Sequence, residues 1–431
     1  MKALHFTCAL LGSFAPVQGG LVPHYSRAEA SSVLEALEIT NVEDVRGNIF
    51  LPSTINGFDI TWESSDSAVI SPDGIVTRQG DDIEVTLTAT INDSSAVARA
   101  ITAHVRKAVE LPPFEGYAFS YFVDSSLDGE KIFFAASEGN DALHWKELND
   151  GRPVLESELG TTGLRDPFLI RSPEGDTFYL IATDLSIGSG TSWGDAVKFG
   201  SRYLEVWESN DLVNWSEQRH VLVSPPNVGN TWAPEAFYDE EAGEYIVFWA
   251  SSLYEEDDVD RVGETYHRMM YATTRDFVNF SPAEVWQDAG TSRIDTTVIR
   301  DGDGTYFRFT KDEGAESGCT DIIQESSTSL RGQVEEWKVV AECIGRDAGT
   351  TAVEGPTVFK TNEGDVNGED KVYLFLDEYS GRGYVPLETD DLGSGEWKVS
   401  EEYRLPGSPR HGTVVPVTAE ELEFLVESLG G

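Results

Sequence analysis

The sequence predicts an all-β chain: a small β-sandwich followed by a five-bladed β-propeller. Three observations lead there. The 431 residues include 40 Gly and 10 Trp, and aromatics make up 11%. That mixture suits many short strands joined by tight turns. A turn with Asp at its third place and an aromatic at its seventh recurs as "GNDALHW" (139–145), "SNDLVNW" (209–215) and "TRDFVNF" (274–280). A longer variant, "TDDLGSGEW", ends at Trp397, and a degraded one, "TSLRGQVEEW", ends at Trp337. Five copies at this spacing fit five four-stranded blades. Between the turns, each unit holds an apolar strand headed by a polar residue.

The chain begins with the marks of an export signal over residues 1–20: Lys2, the apolar "ALHFTCALLGSFA", then small residues. The apolar run is too short to remain as a membrane span, so a soluble, secreted, extracellular protein is expected. Cys8 would leave with the signal. Cys319 and Cys343 then remain, either as a disulfide or as two buried thiols. The formal charge of -45 repels nucleic acid and anionic membranes and excludes both as partners. Asn92, Asn214 and Asn279 each head an Asn-x-Ser sequon.

Residues 25–108 alternate polar and apolar in "DITWESS", "IEVTLTATI" and "ARAITAHV", with turns such as "NG" and "DG" between. This stretch is expected to be a small β-sandwich. It resembles the degenerate bacterial immunoglobulin-like modules attached to secreted enzymes. It carries no cluster of carboxylates or histidines, so a spacer or docking role is expected. "VELPPFEG" is the expected linker, and residues 114–431 form the propeller.

The heads of the apolar strands are Asp166 in "RDPFLI", Glu235 in "WAPEAFYD", Asp295 in "IDTTVI", Glu354 in "EGPTVF" and His411 in "HGTVVPV". In a propeller the first strand of each blade lines the axis, so these side chains should meet at one end of the channel. Crowding buried acids is unfavourable unless some are protonated or paired. Glycoside hydrolysis needs such a set: one carboxylic acid to protonate the leaving oxygen, one carboxylate to activate water, and a third to tune the acid.

Asp-Pro (166–167), Trp-Ala-Pro-Glu (232–235), Ile-Asp (294–295), Glu-Gly-Pro (354–356) and Arg-His-Gly (410–412) together resemble glycoside hydrolase family 43. The resemblance implies an inverting five-bladed enzyme with Asp166 as general base, Glu354 as general acid and Asp295 tuning that acid. It implies that His411 lies on the axis beneath the sugar, where relatives hold water or a calcium ion. No cofactor is otherwise required. Glu235 is expected to bond sugar hydroxyls or order the axis, Trp232 to stack on a sugar face, and Arg382 to donate to a hydroxyl or to Asp295. The inserts at 186–202 and 251–268 are expected to rim the pocket and favour removal of single terminal sugars.

The substrate implied is a neutral plant or microbial cell-wall polysaccharide, and α-L-arabinofuranose is the favoured terminal sugar. β-Xylosidase, arabinanase and exo-galactan or galactofuranose hydrolysis stay open within the family. A fructosidase is disfavoured because the chain lacks an Asn-Asp-Pro-Asn box near its start. Outside enzymes, the rival reading is a non-catalytic sugar-binding propeller. A monomer is expected. The C-terminal "RHGTVVPVTAEELEFLVESL" should complete a blade whose outer strands come from 116–122 and 130–145, closing the ring.

Overall fold

The computed structural model describes residues 27–92 and 96–430. The expected export signal and Cys8 lie outside them. Among the described residues there are six four-stranded antiparallel sheets, one in the N-terminal module and five in a ring.

The N-terminal sheet runs through Thr54–Ile55, Phe58–Ser64, Ile83–Ile91 and Val97–Val105. Its alternating burial places Phe58, Ile60, Val85, Leu87 and Ala89 inward, as period-2 patterning requires. The opposing layer is reduced. It consists of the helix Arg27–Glu35, a parallel bridge at Val45 to Val105, and a short bridge from Ile70 to Val76. The module is an immunoglobulin-like sandwich with one complete sheet.

Each blade of the ring contributes one inner strand: Leu164–Arg171, Trp232–Asp239, Arg293–Arg300, Glu354–Lys360 and Arg410–Thr418, here blades one to five. The next strands outward are Phe178–Asp184, Glu244–Ser252, Tyr306–Asp312, Val372–Glu378 and, in blade five, Phe114–Phe122. Blade five therefore joins the two ends of the ring, its outer strands being Phe133–Ser137 and Trp145–Glu147. One element differs from expectation: after Thr418 the chain forms the helix Ala419–Leu429 rather than more strand. A capping box between Thr418 and Glu421 starts it. Glu421 also takes both ends of the Arg171 guanidinium at 2.7 Å, tying the last helix to blade one.

The recurring turns are scaffolding. Asp211 Oδ1 accepts from the amides of Val213 and Asn214 at 2.9 and 2.7 Å, while Ser209 Oγ accepts from Asp211 and Leu212. Asp276 repeats this with Thr274. The sequon residues Asn214 and Asn279 donate to these same aspartates at 2.8 and 2.7 Å, which gives both a structural use. Cys319 and Cys343 form a disulfide beside blade four.

The module docks on the far end of the inner strands of blades one and two. Asp176, in the turn after the first inner strand, accepts from Arg46 at 2.9 Å and from Arg78 at 2.7 and 2.8 Å. Asn48 donates to Tyr238 and to the Gly243 carbonyl at 3.2 and 2.9 Å. All the motif residues occupy the opposite ends of these strands. Deleting residues 1–111 is therefore expected to leave turnover of small aryl glycosides intact while lowering Tm. Kinetics and calorimetry on the truncated protein check this; a folded but inactive protein would show that the module completes the site.

Candidate active site

Every inner strand has a register break near its start: between Arg165 and Phe168, Trp232 and Glu235, Ile294 and Thr296, Glu354 and Thr357, and Arg410 and Gly412. Bulges of this kind re-aim side chains. Four of them put one residue at positive φ: Asp166 (49°), Ala233 (49°), Asp295 (51°) and Gly355 (53°). Asp tolerates this region better than most residues. Gly355 has no alternative, because a Cβ there would lie 2.7 Å from His411 Cβ.

Superposing these breaks sorts the motif residues into three layers along the axis. Arg165, Trp232, Ile294, Glu354 and Arg410 lie nearest the mouth. Asp166, Ala233, Asp295, Gly355 and His411 follow. Phe168, Glu235, Thr297, Thr357 and Thr413 are deepest. The sequence reading placed all five polar heads in one ring. The structure corrects this: Glu354 is one residue nearer the mouth and Glu235 two residues deeper than Asp166.

His411 is buried on the axis, with Nδ1 3.5 Å from Asp166 Oδ1 and 3.9 Å from Asp295 Oδ2. Burial disfavours its charge, but Asp166, Asp295 and Glu235 outweigh that and push it up to about 9. It is a cation at neutral pH. Burial also opposes the Asp166 charge, yet His411, then Arg165 and the Thr183 hydroxyl at 2.9 Å, hold its pKa below the usual range. Thr183 Oγ1 in turn accepts from the Ala233 amide at 2.8 Å. Asp295 is raised by burial and by Asp166, although His411 opposes and the Gly355 amide donates to it at 3.0 Å.

Glu354 is pushed up to about 7 by burial, then by Asp295 and Asp377. Arg410 donates to its Oε1 at 2.8 Å and also pairs with Asp377. Two carboxylates thus differ in protonation: Asp166 is ionised, and Glu354 retains its proton near neutrality. That pairing of environments is how one site runs acid and base chemistry together.

Glu235 is only 3% exposed, and its Oε1 has no hydrogen-bond partner. Burial pushes it up to about 8, against His411 and Thr297. It sits in the deepest of the three layers, two residues below Asp166. Of the two contacts expected of Arg382, the one to Asp295 is not made. Its guanidinium bonds Glu378 at 2.7 and 3.2 Å within a tight Gly-flanked turn. Arg410, rather than Arg382, is the arginine bonded to Glu354. The sequence reading quoted Arg410 in its motif without assigning it a task, and it missed Thr183 and Asp377 altogether.

Trp232 forms part of an aromatic wall. His267 stacks on it at 5.4 Å and 26°, and Trp193 meets it edge-on at 6.0 Å. Burial lowers His267 to about 4, so its ring is neutral. Trp193, half exposed, also lies 5.2 Å from the Arg165 guanidinium. It therefore spans from Trp232 of blade two to Arg165 at the edge of blade one. The insert carrying it is anchored: the buried Glu130 accepts from the amides of Ile187 and Gly188 at 2.8 and 3.1 Å and from Arg165 at 3.1 Å. Arg261, from the second insert, donates to the Lys198 and Pro226 carbonyls.

The axis suits a calcium ion poorly: calcium takes six to eight oxygen ligands, whereas the axis presents a buried His411 ring nitrogen against Asp166 and Asp295. Among the described residues, Asp184, Glu205 and His220 also have donor atoms within 4.8 Å of one another. His220 and Gln218 each reach Glu205 at 2.5 Å, and Thr161 donates twice to Asp184, so this group satisfies itself.

A five-bladed ring with carboxylates of opposed protonation at one mouth is the architecture of a carbohydrate-active propeller. Residues 112–423 match the family described as "Probable glycosyl hydrolase domain", related to glycoside hydrolase family 43, and the chain belongs to it. Residues 29–108 match the atrophied bacterial Ig domain. An α-L-arabinofuranosidase of Bifidobacterium longum subsp. longum is 34% identical over 428 residues, which cover 88% of this chain and 40% of that protein. The chain thus spans less than half the length of this curated relative. Among solved structures, a thermostable family-43 glycoside hydrolase aligns with TM-score 0.40 and 18% identity, over 60% of this chain and 81% of its own. An α-L-arabinofuranosidase of Fusarium graminearum aligns with TM-score 0.42 and 17% identity, over 75% and 79%.

Proposed function

We propose that the chain is a secreted, inverting glycoside hydrolase that releases terminal α-L-arabinofuranose from neutral cell-wall polysaccharide. One observation carries the reading: Asp166 and Glu354 face the site from opposite sides of the Arg410–His411 step, Asp166 against His411 and Glu354 bonded to Arg410. Asp166 takes a proton from water as that water attacks the anomeric carbon. The glycosidic bond breaks, and Glu354 gives its proton to the departing oxygen. Asp295 stays beside Glu354 and favours its protonated form. An arabinofuranosidase with 34% identity supports the choice of sugar, and the anchored Trp193 wall supports a closed pocket and exo action.

The placement of the pair on non-adjacent blades supports inversion. Asp166 and Glu354 lie on blades one and four, with blade five between them. Inverting carboxyls stand roughly 6.5–9.5 Å apart to admit a water, while retaining pairs sit at about 5–5.5 Å. The first-formed sugar should carry the opposite anomeric configuration. Proton NMR early in the hydrolysis of an aryl α-L-arabinofuranoside tests this. Retained anomer first, or a glycosyl-enzyme trapped on Asp166, overturns the mechanism. Binding of arabinan or arabinoxylan without any hydrolysis would favour the non-catalytic propeller.

A further inference from the structure

Lys311 is 1% exposed, in the second strand of blade three. An ammonium buried that deeply is unfavourable unless its donors and charge are used. Its Nζ donates to the Val353 carbonyl at 2.6 Å and the Thr320 carbonyl at 2.7 Å. Val353 immediately precedes Glu354. Thr320 follows Cys319, which is disulfide-bonded to Cys343. Asp321 closes the same loop by accepting from the amides of Gly345 and Arg346 at 2.8 and 2.7 Å.

The position also has counterparts around the ring. Lys311 pairs with Ile294 of the mouth layer, as Thr183 pairs with Arg165 and Asp377 with Glu354. Each of these second-strand residues reaches the next blade: Thr183 accepts from Ala233, Asp377 accepts from Arg410, and Lys311 donates to Val353. Around Glu354, Asp295 and Asp377 favour the protonated form, while Arg410 and Lys311 oppose it. Asp166 and His411 lie further along the axis; Glu313 is 3.9 Å from the Lys311 ammonium, and the Tyr379 ring is 5.6 Å away.

We propose that Lys311 is a positioning residue for Glu354: its ammonium braces the start of that strand against the disulfide-closed loop and supplies fixed positive charge that keeps the surrounding carboxylates from holding the acid's proton too tightly. This rests on the reading of Glu354 as general acid.

The test is the pH dependence of kcat for Lys311→Met, Lys311→Arg and the Cys319→Ser/Cys343→Ser double variant. In Lys311→Met the basic limb should move up by about half a unit or more, since an opposing charge is lost. Its kcat on alkyl glycosides should fall about tenfold or more with KM little changed, because a displaced acid transfers its proton poorly. The loss should shrink on a dinitrophenyl glycoside, whose leaving group needs no acid. Lys311→Arg should keep the wild-type limb, and the cysteine variant should lose kcat with the limb unmoved. A folded Lys311→Met with an unmoved or lowered limb overturns the proposal. If that variant does not fold, an upward-moved limb in Lys311→Arg, or wild-type kcat in the cysteine variant, does so instead. Failure of the underlying reading looks different: Glu354→Ala would then lose equally on alkyl and dinitrophenyl glycosides.

Discussion

Glu354→Ala and Asp166→Ala are each expected to lose at least roughly a hundredfold in kcat, because a positioned acid or base contributes on that order. The two should fail differently. Glu354 donates to the departing oxygen, so its loss should matter least where that oxygen is already a stable anion. Dinitrophenyl glycosides should therefore recover much of the Glu354→Ala rate and almost none of the Asp166→Ala rate. The pH profiles should also part. The basic limb of the wild type reports Glu354, which loses its proton near pH 7, and that limb should vanish in Glu354→Ala. The acidic limb reports Asp166 and should survive. Both variants should stay folded, since Thr183 and Arg410 retain other partners. Turnover near wild type in either variant would remove that residue from the mechanism.

The repeat was legible because it is local: each Asp turn satisfies its own backbone amides within a few residues, so its spacing prints directly on the chain. The axial heads were legible for a related reason, since each sits at the start of an apolar run. What misled the reading was depth. Counting polar heads alone put Asp166, Glu235 and Glu354 in one layer. Aligning Pro167, Pro234 and Pro356 sets Glu235 opposite Phe168 and Glu354 opposite Arg165, as the register breaks do. Arg410, Asp377 and Lys311 are a different matter. Their partners lie on the next blade, 33 residues away for Arg410 and Asp377 and 42 for Lys311 and Val353. No periodic signal marks such a pair. Arg382, expected to reach Asp295 or a sugar hydroxyl, bonds Glu378 four residues away.

Folding stability should peak near pH 5 and fall steeply toward pH 9. The sign follows from the axis. His411 moves from 6.5 to about 9 on folding, so the stability it contributes is complete below about pH 6.5 and is lost as pH rises through 9. Glu235 moves from 4.5 to about 8 and acts in the same direction: the folded chain holds a proton that the unfolded chain has released, and stability declines between those values. Each contribution is on the order of a few kcal/mol. Asp166 works the other way. Its lowered pKa stabilises above the unfolded value of 3.8, and that gain disappears on acidification. The acidic surface adds self-repulsion at high pH, so the wild-type slope alone does not isolate the axis. Glu235→Gln does, because it presents the neutral form at every pH: it should flatten the decline between pH 5 and 8 while keeping activity near wild type. Thermal unfolding across this range measures both. A Glu235→Gln protein whose Tm falls with pH as steeply as wild type would mean that Glu235 carries no extra proton in the folded chain.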